Sequence, residues 1–168
     1  VVCDWDGTLI DSLHAHFRAV LAVFNREKIN PLPTYDEWRS HLTIPFAKFF
    51  RDRGVIASDE QLWNIYNQAY LKQVHTVKLF QDTLEIISFL RALYPVWIVS
   101  GSDEKNVRVA VEGTGMLQHI KGVIAGVEDK EPALRAIARR ESVDLASVVL
   151  IGDHLNDVLA AQNVGAVG

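Results

Sequence analysis

Two pairs of aspartates have the residue type and the spacing that catalysis requires. Asp4 and Asp6 are two residues apart, so in an extended segment their side chains point the same way. In such a pair, one carboxylate can attack an electrophile while the other moves protons. Asp153 and Asp157 are four residues apart, which is one helical turn, so both can face one site. The spacing therefore predicts a site built from carboxylates at both ends of the chain.

Carboxylates held close together need a positive partner, because like charges disfavour joint ionisation. Magnesium suits a site made of a few carboxylates plus a substrate phosphate, and a metal-neutralised phosphoryl group is an electrophile that a carboxylate attacks. Three further residues offer groups that bind phosphate oxygens. These are the Ser100 hydroxyl, the Gly101 amide at an expected helix start, and the mobile charge of Lys130. Together these residue types indicate phosphoryl transfer through an aspartyl-phosphate.

The pattern of apolar residues predicts the elements that position these groups. Short apolar runs at residues 1–3, 96–99, 123–125 and 148–151 indicate buried strands. Helical patterns separate the later runs, so we expect an α/β fold with a Rossmann-like parallel sheet and helices on both faces. Ligands collect at the carboxyl ends of such strands, where every predicted loop carries a polar or charged group. The candidate residues are therefore expected to meet at that edge.

The segment between the first strand and residue 80 has a helical pattern instead. Pro31 is expected to end its first helix, and Pro45 to begin a short helix. Two residue pairs have the form of capping boxes, Thr34 with Glu37 and Ser58 with Gln61. The predicted organisation is an α/β catalytic core, residues 1–12 and 80–168, with an inserted all-helical cap, residues 13–79. The cap is expected to close over the site and exclude water.

Composition excludes several classes of protein. The chain has 168 residues and a net charge of −4, which argues against a nucleic-acid partner or an anionic membrane surface. No apolar run approaches the ~20 residues needed to span a bilayer. The single cysteine, Cys3, excludes an internal disulfide framework and fits a reducing compartment, so we expect a soluble cytoplasmic protein. The chain opens without a methionine and stops where another strand is expected, as a trimmed fragment would.

Four motifs resemble those of one family. Residues 4–12, Asp-Trp-Asp-Gly-Thr-Leu-Ile-Asp-Ser, resemble the first motif of the haloacid dehalogenase-like hydrolase superfamily, whose pattern is Asp-x-Asp-Gly-Thr. Ser100 resembles the second motif, Lys130 the third, and residues 152–157, Gly-Asp-x-x-x-Asp, the fourth. An inserted helical cap is similar to that of the phosphoglycolate phosphatase-like branch. The third motif usually reads Lys-Pro, whereas one residue intervenes here, so Lys121 is a second candidate for this position.

This resemblance implies a role for each site residue. It implies that Asp4 is the nucleophile and Asp6 the general acid and base. It implies that Mg²⁺ is held by Asp4, the backbone carbonyl of Asp6 and Asp153, with Asp157 supporting the metal and the lysine. The residues implied to bind the phosphoryl group are Thr8, Ser100, Gly101 and Lys130. The implied activity is hydrolysis of a small phosphomonoester, with a small phosphorylated metabolite as the substrate.

Other functions stay open at this point. A sugar phosphomutase of the same superfamily would return the phosphoryl group to its substrate rather than to water. A phosphonate hydrolase would need a cap lysine that forms a Schiff base, for which Lys28 and Lys48 are candidates. A noncatalytic binding module would keep the fold without turnover. A dehalogenase is disfavoured, because Asp6 has no evident use in that reaction.

Several residues have a purely structural interpretation. Asp153 has the type of a helix cap, and His154 is interpreted as a variable position. His16 is interpreted as a solvated or hinge residue. Trp5 and the aromatic residues of the insertion are interpreted as packing residues.

Overall fold

The computed structural model describes residues 1–41 and 46–168 of the chain. Pro45, where the sequence predicts the start of a short helix, lies outside the described residues. The chain divides into two compact units, one formed by Val1–Ser12 with Val77–Gly168, the other by Leu13–Thr76. Every residue that the sequence predicts for the site belongs to the first unit.

The first unit is built around a parallel sheet. Its strands are β1 (Val2–Cys3), β2 (Ile10–Asp11), β3 (Lys78–Leu79), β4 (Trp97–Ser100), β5 (Gly122–Ala125) and β6 (Leu150–Ile151). The parallel sheet has the order β5-β4-β1-β6, and β2 pairs with β3 in a separate antiparallel ribbon. Val149, which directly precedes β6, forms a parallel bridge with Val167, where the sequence predicts that another strand begins. The strand that precedes Asp4 therefore occupies an interior position in the sheet.

Helices alternate with strands in the first unit, whereas helices make up most of the second. The helices are α1 (Leu13–Arg26), α2 (Tyr35–Ser40), α3 (Ala47–Arg51) and α4 (Asp59–Leu71) in the second unit, and α5 (Thr83–Leu93), α6 (Glu104–Gly113), α7 (Glu131–Glu141) and α8 (Leu155–Val164) in the first. Short 3₁₀ helices lie at Val74–Thr76, Met116–His119 and Leu145–Ser147. This alternation confirms the predicted α/β class. Across the described residues, none of these helices combines the length and apolar character that a membrane crossing requires.

The core of the first unit lies on both faces of the parallel sheet. Val2, Trp97 and Val99 belong to a buried cluster that includes residues of α7 and α8. Because side chains alternate along a strand, Cys3 and Ile98 point to the opposite face, and both are also buried. The strands are therefore covered on both sides, as their continuous apolar runs predict.

Capping boxes begin two helices of the second unit, as the sequence predicts. Thr34 Oγ1 accepts a hydrogen bond from the Glu37 backbone N–H at 3.2 Å, and the Glu37 carboxylate accepts one from the Thr34 N–H at 2.8 Å. Ser58 and Gln61 form the same reciprocal pair at the start of α4. Each box satisfies backbone donors that the helix leaves without a partner, which explains why so short a pattern identifies a helix start.

Aromatic rings pack against one another inside the second unit, as predicted. Neighbouring ring centroids are no more than 6.4 Å apart among Phe24, Phe46, Phe49, Phe50, Trp63 and Tyr66. His16 differs from its interpretation as a solvated residue. Its ring stacks on Tyr70 with centroids 4.4 Å apart, and its Nδ1 lies 2.7 Å from the Tyr66 hydroxyl.

The end of α1 differs from the prediction that Pro31 stops this helix. Lys28 adopts a left-handed conformation with φ of 57°, and its N–H donates to the Asn25 carbonyl. The Ile29 N–H donates to the Phe24 carbonyl. This pair of bonds satisfies the last helical carbonyls, so the helix ends before the proline is reached.

The predicted all-helical segment is also wrong at its end. Lys78–Leu79 form β3 and pair with Ile10–Asp11, and the second unit stops at Thr76. A two-residue strand carries too little periodicity to be separated from a helical pattern, because its identity depends on a partner far away in the sequence.

Candidate active site

The predicted site residues come from loops at one edge of the parallel sheet. Asp4 directly follows β1, and Ser100 is the last residue of β4. Lys130 directly precedes α7, after β5, and Asp153 follows β6. Because the carboxyl ends of parallel strands meet at the same edge, residues that are distant in the chain become neighbours here.

Lys130 connects the two carboxylate pairs. Its Nζ donates to Asp4 Oδ1 and to Asp157 Oδ1, each at 2.5 Å. Only 11% of the Lys130 side chain, 11% of the Asp4 side chain and 5% of the Asp157 side chain are exposed, so water screens these ion pairs weakly. Lys121 is exposed and precedes the amino end of β5, at the opposite edge of the sheet. The structure thus brings Lys130, and not Lys121, to the carboxylates.

Three carboxylates converge beside this lysine. One oxygen from each of Asp4, Asp153 and Asp157 lies within 4.8 Å of the other two. Both Asp157 oxygens accept hydrogen bonds, one from Lys130 and the other from the His154 backbone N–H at 3.2 Å. Asp157 is therefore held in a fixed orientation by its two donors.

The donor set of this cluster fits a hard divalent cation. Its atoms are carboxylate oxygens, which magnesium prefers, and three carboxylates exceed the single positive charge of Lys130. Asp153 is exposed, and its Oδ1 accepts a hydrogen bond from Thr8 Oγ1 at 3.2 Å, which orients it. A cation among these oxygens would offset their mutual repulsion.

The ionisation of the cluster reflects its burial. Burial raises the pKa of Asp4 to about 7; the attraction of Lys130 and its hydrogen bond oppose this, while the charges of Asp157 and Asp6 add to it. Burial alone would lower the pKa of Lys130, but the attraction of Asp4 and the hydrogen bonds to both aspartates outweigh it, so the pKa is raised. The lysine is therefore cationic at neutral pH, whereas Asp4, with a pKa of about 7, is partly protonated there.

Two glycines permit the close approach of these carboxylates. Gly7 has a φ of +80°, and a Cβ built on it would lie 2.5 Å from Asp153 Oδ2. A Cβ on Gly152 would collide with the Asp157 carboxyl group. A side chain at either position would displace an aspartate of the cluster, which gives a physical reason for glycine in the first and fourth motifs.

The Asp6 side chain contacts two serines at the carboxyl end of β4. Its Oδ2 accepts a hydrogen bond from Ser102 Oγ at 2.7 Å and a longer one from Ser100 Oγ at 3.4 Å. The Ser102 N–H in turn donates to Ser100 Oγ at 3.0 Å. Ser100 is among the site residues predicted from the sequence, whereas Ser102 is not. The signal that identifies Ser102 is a second hydroxyl two residues later in the same turn.

Gly101 is not at a helix start, contrary to the prediction. α6 begins at Glu104, and Asp103 is its N-cap, with Oδ1 accepting from the Asn106 N–H at 3.1 Å. The Gly101 amide lies in the loop before that cap, so it is not one of the N–H groups at the amino end of α6.

His154, and not Asp153, caps α8. Its Nδ1 accepts a hydrogen bond from the Asn156 N–H at 3.2 Å, while the Asp157 carboxylate accepts from the His154 N–H. His154 therefore has a structural role at the start of α8, and the interpretation of Asp153 as the helix cap is excluded.

Comparison with known proteins gives consistent findings over the whole chain. A family model described as haloacid dehalogenase-like hydrolase matches residues 1–167. A phosphoglycolate phosphatase of Neisseria meningitidis is 24% identical over 185 residues, covering 99% of this chain and 77% of that protein.

Solved structures have the same fold. A haloacid dehalogenase-like family hydrolase from Streptococcus pneumoniae matches with a TM-score of 0.84 at 21% identity, covering 98% of this chain and 80% of its own. CbbY from Rhodobacter sphaeroides, in complex with phosphate, matches with a TM-score of 0.82 at 20% identity, covering 98% of this chain and 82% of its own.

Proposed function

The chain belongs to the haloacid dehalogenase-like hydrolase family, and from that premise we propose that it is a magnesium-dependent phosphatase. It hydrolyses a small phosphomonoester through an aspartyl-phosphate on Asp4. The observation that carries this proposal is the buried cluster of Asp4, Lys130 and Asp157, with Asp153 beside it. A structural ion pair needs one carboxylate for one lysine, whereas a surplus of carboxylates suits a site for a metal and a phosphoryl group.

The two aspartates of the first motif perform the bond-making and proton-transfer steps. An Asp4 oxygen attacks phosphorus, the bond from phosphorus to the leaving oxygen breaks, and Asp6 gives that oxygen its proton. Asp6 then takes a proton from water while the water oxygen bonds to phosphorus. The bond between phosphorus and Asp4 breaks in this second step, which regenerates the Asp4 carboxylate and releases inorganic phosphate.

Asp4, Asp153 and the backbone carbonyl of Asp6 would hold the magnesium ion. When bound, the ion neutralises charge on the phosphoryl oxygens. Asp157 has both oxygens committed to Lys130 and to the His154 N–H, so its proposed role is to orient the lysine. In this division Asp4 is both the nucleophile and a metal ligand, Asp153 is a metal ligand only, and Asp157 positions Lys130.

Lys130 is the main protein group that would stabilise the transferring phosphoryl group. Its Nζ is 2.5 Å from Asp4 Oδ1, so a phosphorus atom next to that oxygen would place its own oxygens beside the ammonium. Ser100 Oγ lies at the same sheet edge and would donate to another phosphoryl oxygen. Thr8 and Gly101 are proposed as further donors from the loops after β1 and β4.

The substrate is proposed to be a small phosphorylated metabolite. Two findings support this class: the relative from Neisseria meningitidis is a phosphoglycolate phosphatase, and the CbbY structure is in complex with phosphate. Both proteins extend beyond the matched region, so the two likenesses support the reaction more strongly than the identity of the metabolite.

A phosphate-release screen tests the function. Purified protein with magnesium is offered a panel of small phosphomonoesters, with p-nitrophenyl phosphate as a generic substrate. We expect release of inorganic phosphate and a loss of at least about a thousandfold in Asp4→Asn, because the attacking oxygen is gone. Asp144→Asn is the matched control, since Asp144 is an exposed aspartate of the same unit that lies outside the cluster and outside the four motifs.

Three results would contradict the proposal. Near-full activity in Asp4→Asn would exclude this nucleophile, and equal activity after removal of magnesium by a chelator would exclude the metal role. An isomerised sugar phosphate without free phosphate would identify a mutase. These outcomes are distinguishable because the first comes from a variant, the second from an additive and the third from analysis of the product.

A further inference from the structure

The hydrogen bond from Ser102 Oγ to Asp6 Oδ2, at 2.7 Å, is the shorter of the two contacts that serines make with this carboxyl group. O–H donors at this distance from a carboxylate form strong, charge-assisted bonds. Ser100, at 3.4 Å, is the weaker donor. In the proposed reaction Ser100 turns to the phosphoryl group, which leaves Ser102 as the principal serine donor to Asp6.

The backbone holds Ser102 in place on both sides. Its N–H donates to Ser100 Oγ at 3.0 Å, and its carbonyl accepts from the Gly126 N–H at 2.8 Å. A second bond between the same two loops joins the Val127 N–H to the Ser100 carbonyl at 3.2 Å. The backbone of Ser102 is thus anchored to the loop after β5 as well as to its own loop, which holds the hydroxyl in place beside Asp6.

We infer that Ser102 is a positioning residue for Asp6: its hydroxyl fixes Oδ2, so that Oδ1 is the oxygen that exchanges protons with the leaving group and with water. The inference rests on the proposed phosphatase function. A carboxyl group whose proton resides on Oδ1 retains Oδ2 as a carbonyl oxygen, and a carboxylate retains it as well. The Ser102 hydroxyl therefore donates to Oδ2 in both protonation states, and the side chain keeps one orientation through both steps.

If Ser102 positions Asp6, the activity lost on removing the Ser102 hydroxyl depends on the leaving group of the substrate. A poor leaving group, such as the alkoxide of benzyl phosphate, needs its proton from Asp6 as the bond to phosphorus breaks. The p-nitrophenolate ion is stable without that proton. Ser102→Ala removes the shorter of the two serine hydrogen bonds to Asp6 Oδ2, so the loss is expected to fall on the poor leaving group.

The test compares kcat/KM for benzyl phosphate and p-nitrophenyl phosphate in wild type and Ser102→Ala, with magnesium present. We expect the ratio of benzyl to p-nitrophenyl activity to fall about tenfold or more in the variant, a part of the contribution that general acid catalysis makes. Ser102→Thr retains a hydroxyl and is expected to restore the ratio.

Ser88→Ala controls for the chemical change itself, because Ser88 is an exposed serine of α5. An equal loss on both substrates in Ser102→Ala, or no loss on either, would overturn the positioning role. A ratio that Ser102→Thr fails to restore would do the same. Failure of the wild type to release phosphate from either ester would instead overturn the proposed function, so the two failures are distinguishable.

Discussion

Lys130 is shared by Asp4 and Asp157, which lie near opposite ends of the chain, with an N–O distance of 2.5 Å to each. One ammonium group therefore neutralises two buried carboxylates only in part. The remaining negative charge contributes to raising the pKa of Asp4 to about 7, although burial is the larger cause. The carboxylates of the site outnumber its single lysine, and their mutual repulsion is unfavourable unless a further cation binds.

Substitution of Lys130 tests whether this lysine stabilises the phosphoryl group. We expect Lys130→Ala to lower kcat/KM for p-nitrophenyl phosphate by about a hundredfold or more, as for other groups that stabilise transition-state charge. Lys121→Ala removes the same charge at the opposite edge of the sheet and is expected to keep wild-type activity. The rates are normalised to the folded fraction measured by circular dichroism. Equal losses in the two variants would show that net charge, and not the contact with Asp4, is responsible.

The elements that sequence predicts well are those whose signal is local. The capping boxes at Thr34 and Ser58 need only four residues to identify a helix start, and the apolar runs of β1 and β4 identify buried strands without knowledge of their partners. Lys78–Leu79 escape prediction because their strand exists only through pairing with Ile10–Asp11. The same limit applies inside the site, where Ser102 contacts Asp6 through a loop conformation that residue spacing does not reveal.

Helix ends give a prediction at the element scale. Gly113 ends α6 with an ordinary φ, and Gly165 follows α8 with a φ of +80°; a Cβ built on either meets no atom within 4 Å. Space is therefore equal and only backbone conformation differs. We expect Gly113→Ala to raise the free energy of unfolding by up to about 1 kcal/mol, and Gly165→Ala to lower it by about 1–2 kcal/mol.

Chemical denaturation with matched slopes measures both changes. A gain in Gly165→Ala would mean that the left-handed conformation at the end of α8 carries no cost for alanine. A loss in Gly113→Ala would mean that the end of α6 is not helical in solution. Because neither residue lies among the predicted site residues, activity is expected to stay at the wild-type level in both variants.

Over the whole molecule, the site and the stability of the first unit depend on the same ionisable groups. Val1–Ser12 and Val77–Gly168 form one compact unit, and the cluster of Asp4, Asp153 and Asp157 joins its first and last loops. A ligand that binds this cluster therefore binds only the folded unit, because in the unfolded chain these residues are far apart. Binding at the site must stabilise the unit by mass action.

Magnesium is accordingly expected to raise the melting temperature, and to do so more strongly above pH 7 than below it. With a pKa of about 7, folded Asp4 is protonated at lower pH, and that proton competes with the metal. Without metal, the stability contributed by Asp4 falls as pH rises from its unfolded pKa of about 4 towards 7, because the folded state binds the proton more tightly.

Magnesium at about 100 times its dissociation constant, one pH unit above the folded pKa of Asp4, is expected to contribute about 2.7 kcal/mol to the free energy of unfolding, or roughly 5–10 °C in melting temperature. One unit below it, about half of that shift remains. Calorimetric melting checks both values, with Asp153→Asn expected to abolish the shift and Asp59→Asn, an exposed aspartate of α4, expected to retain it. A shift that is equal at the two pH values would show that no proton on Asp4 competes with the metal over this pH range.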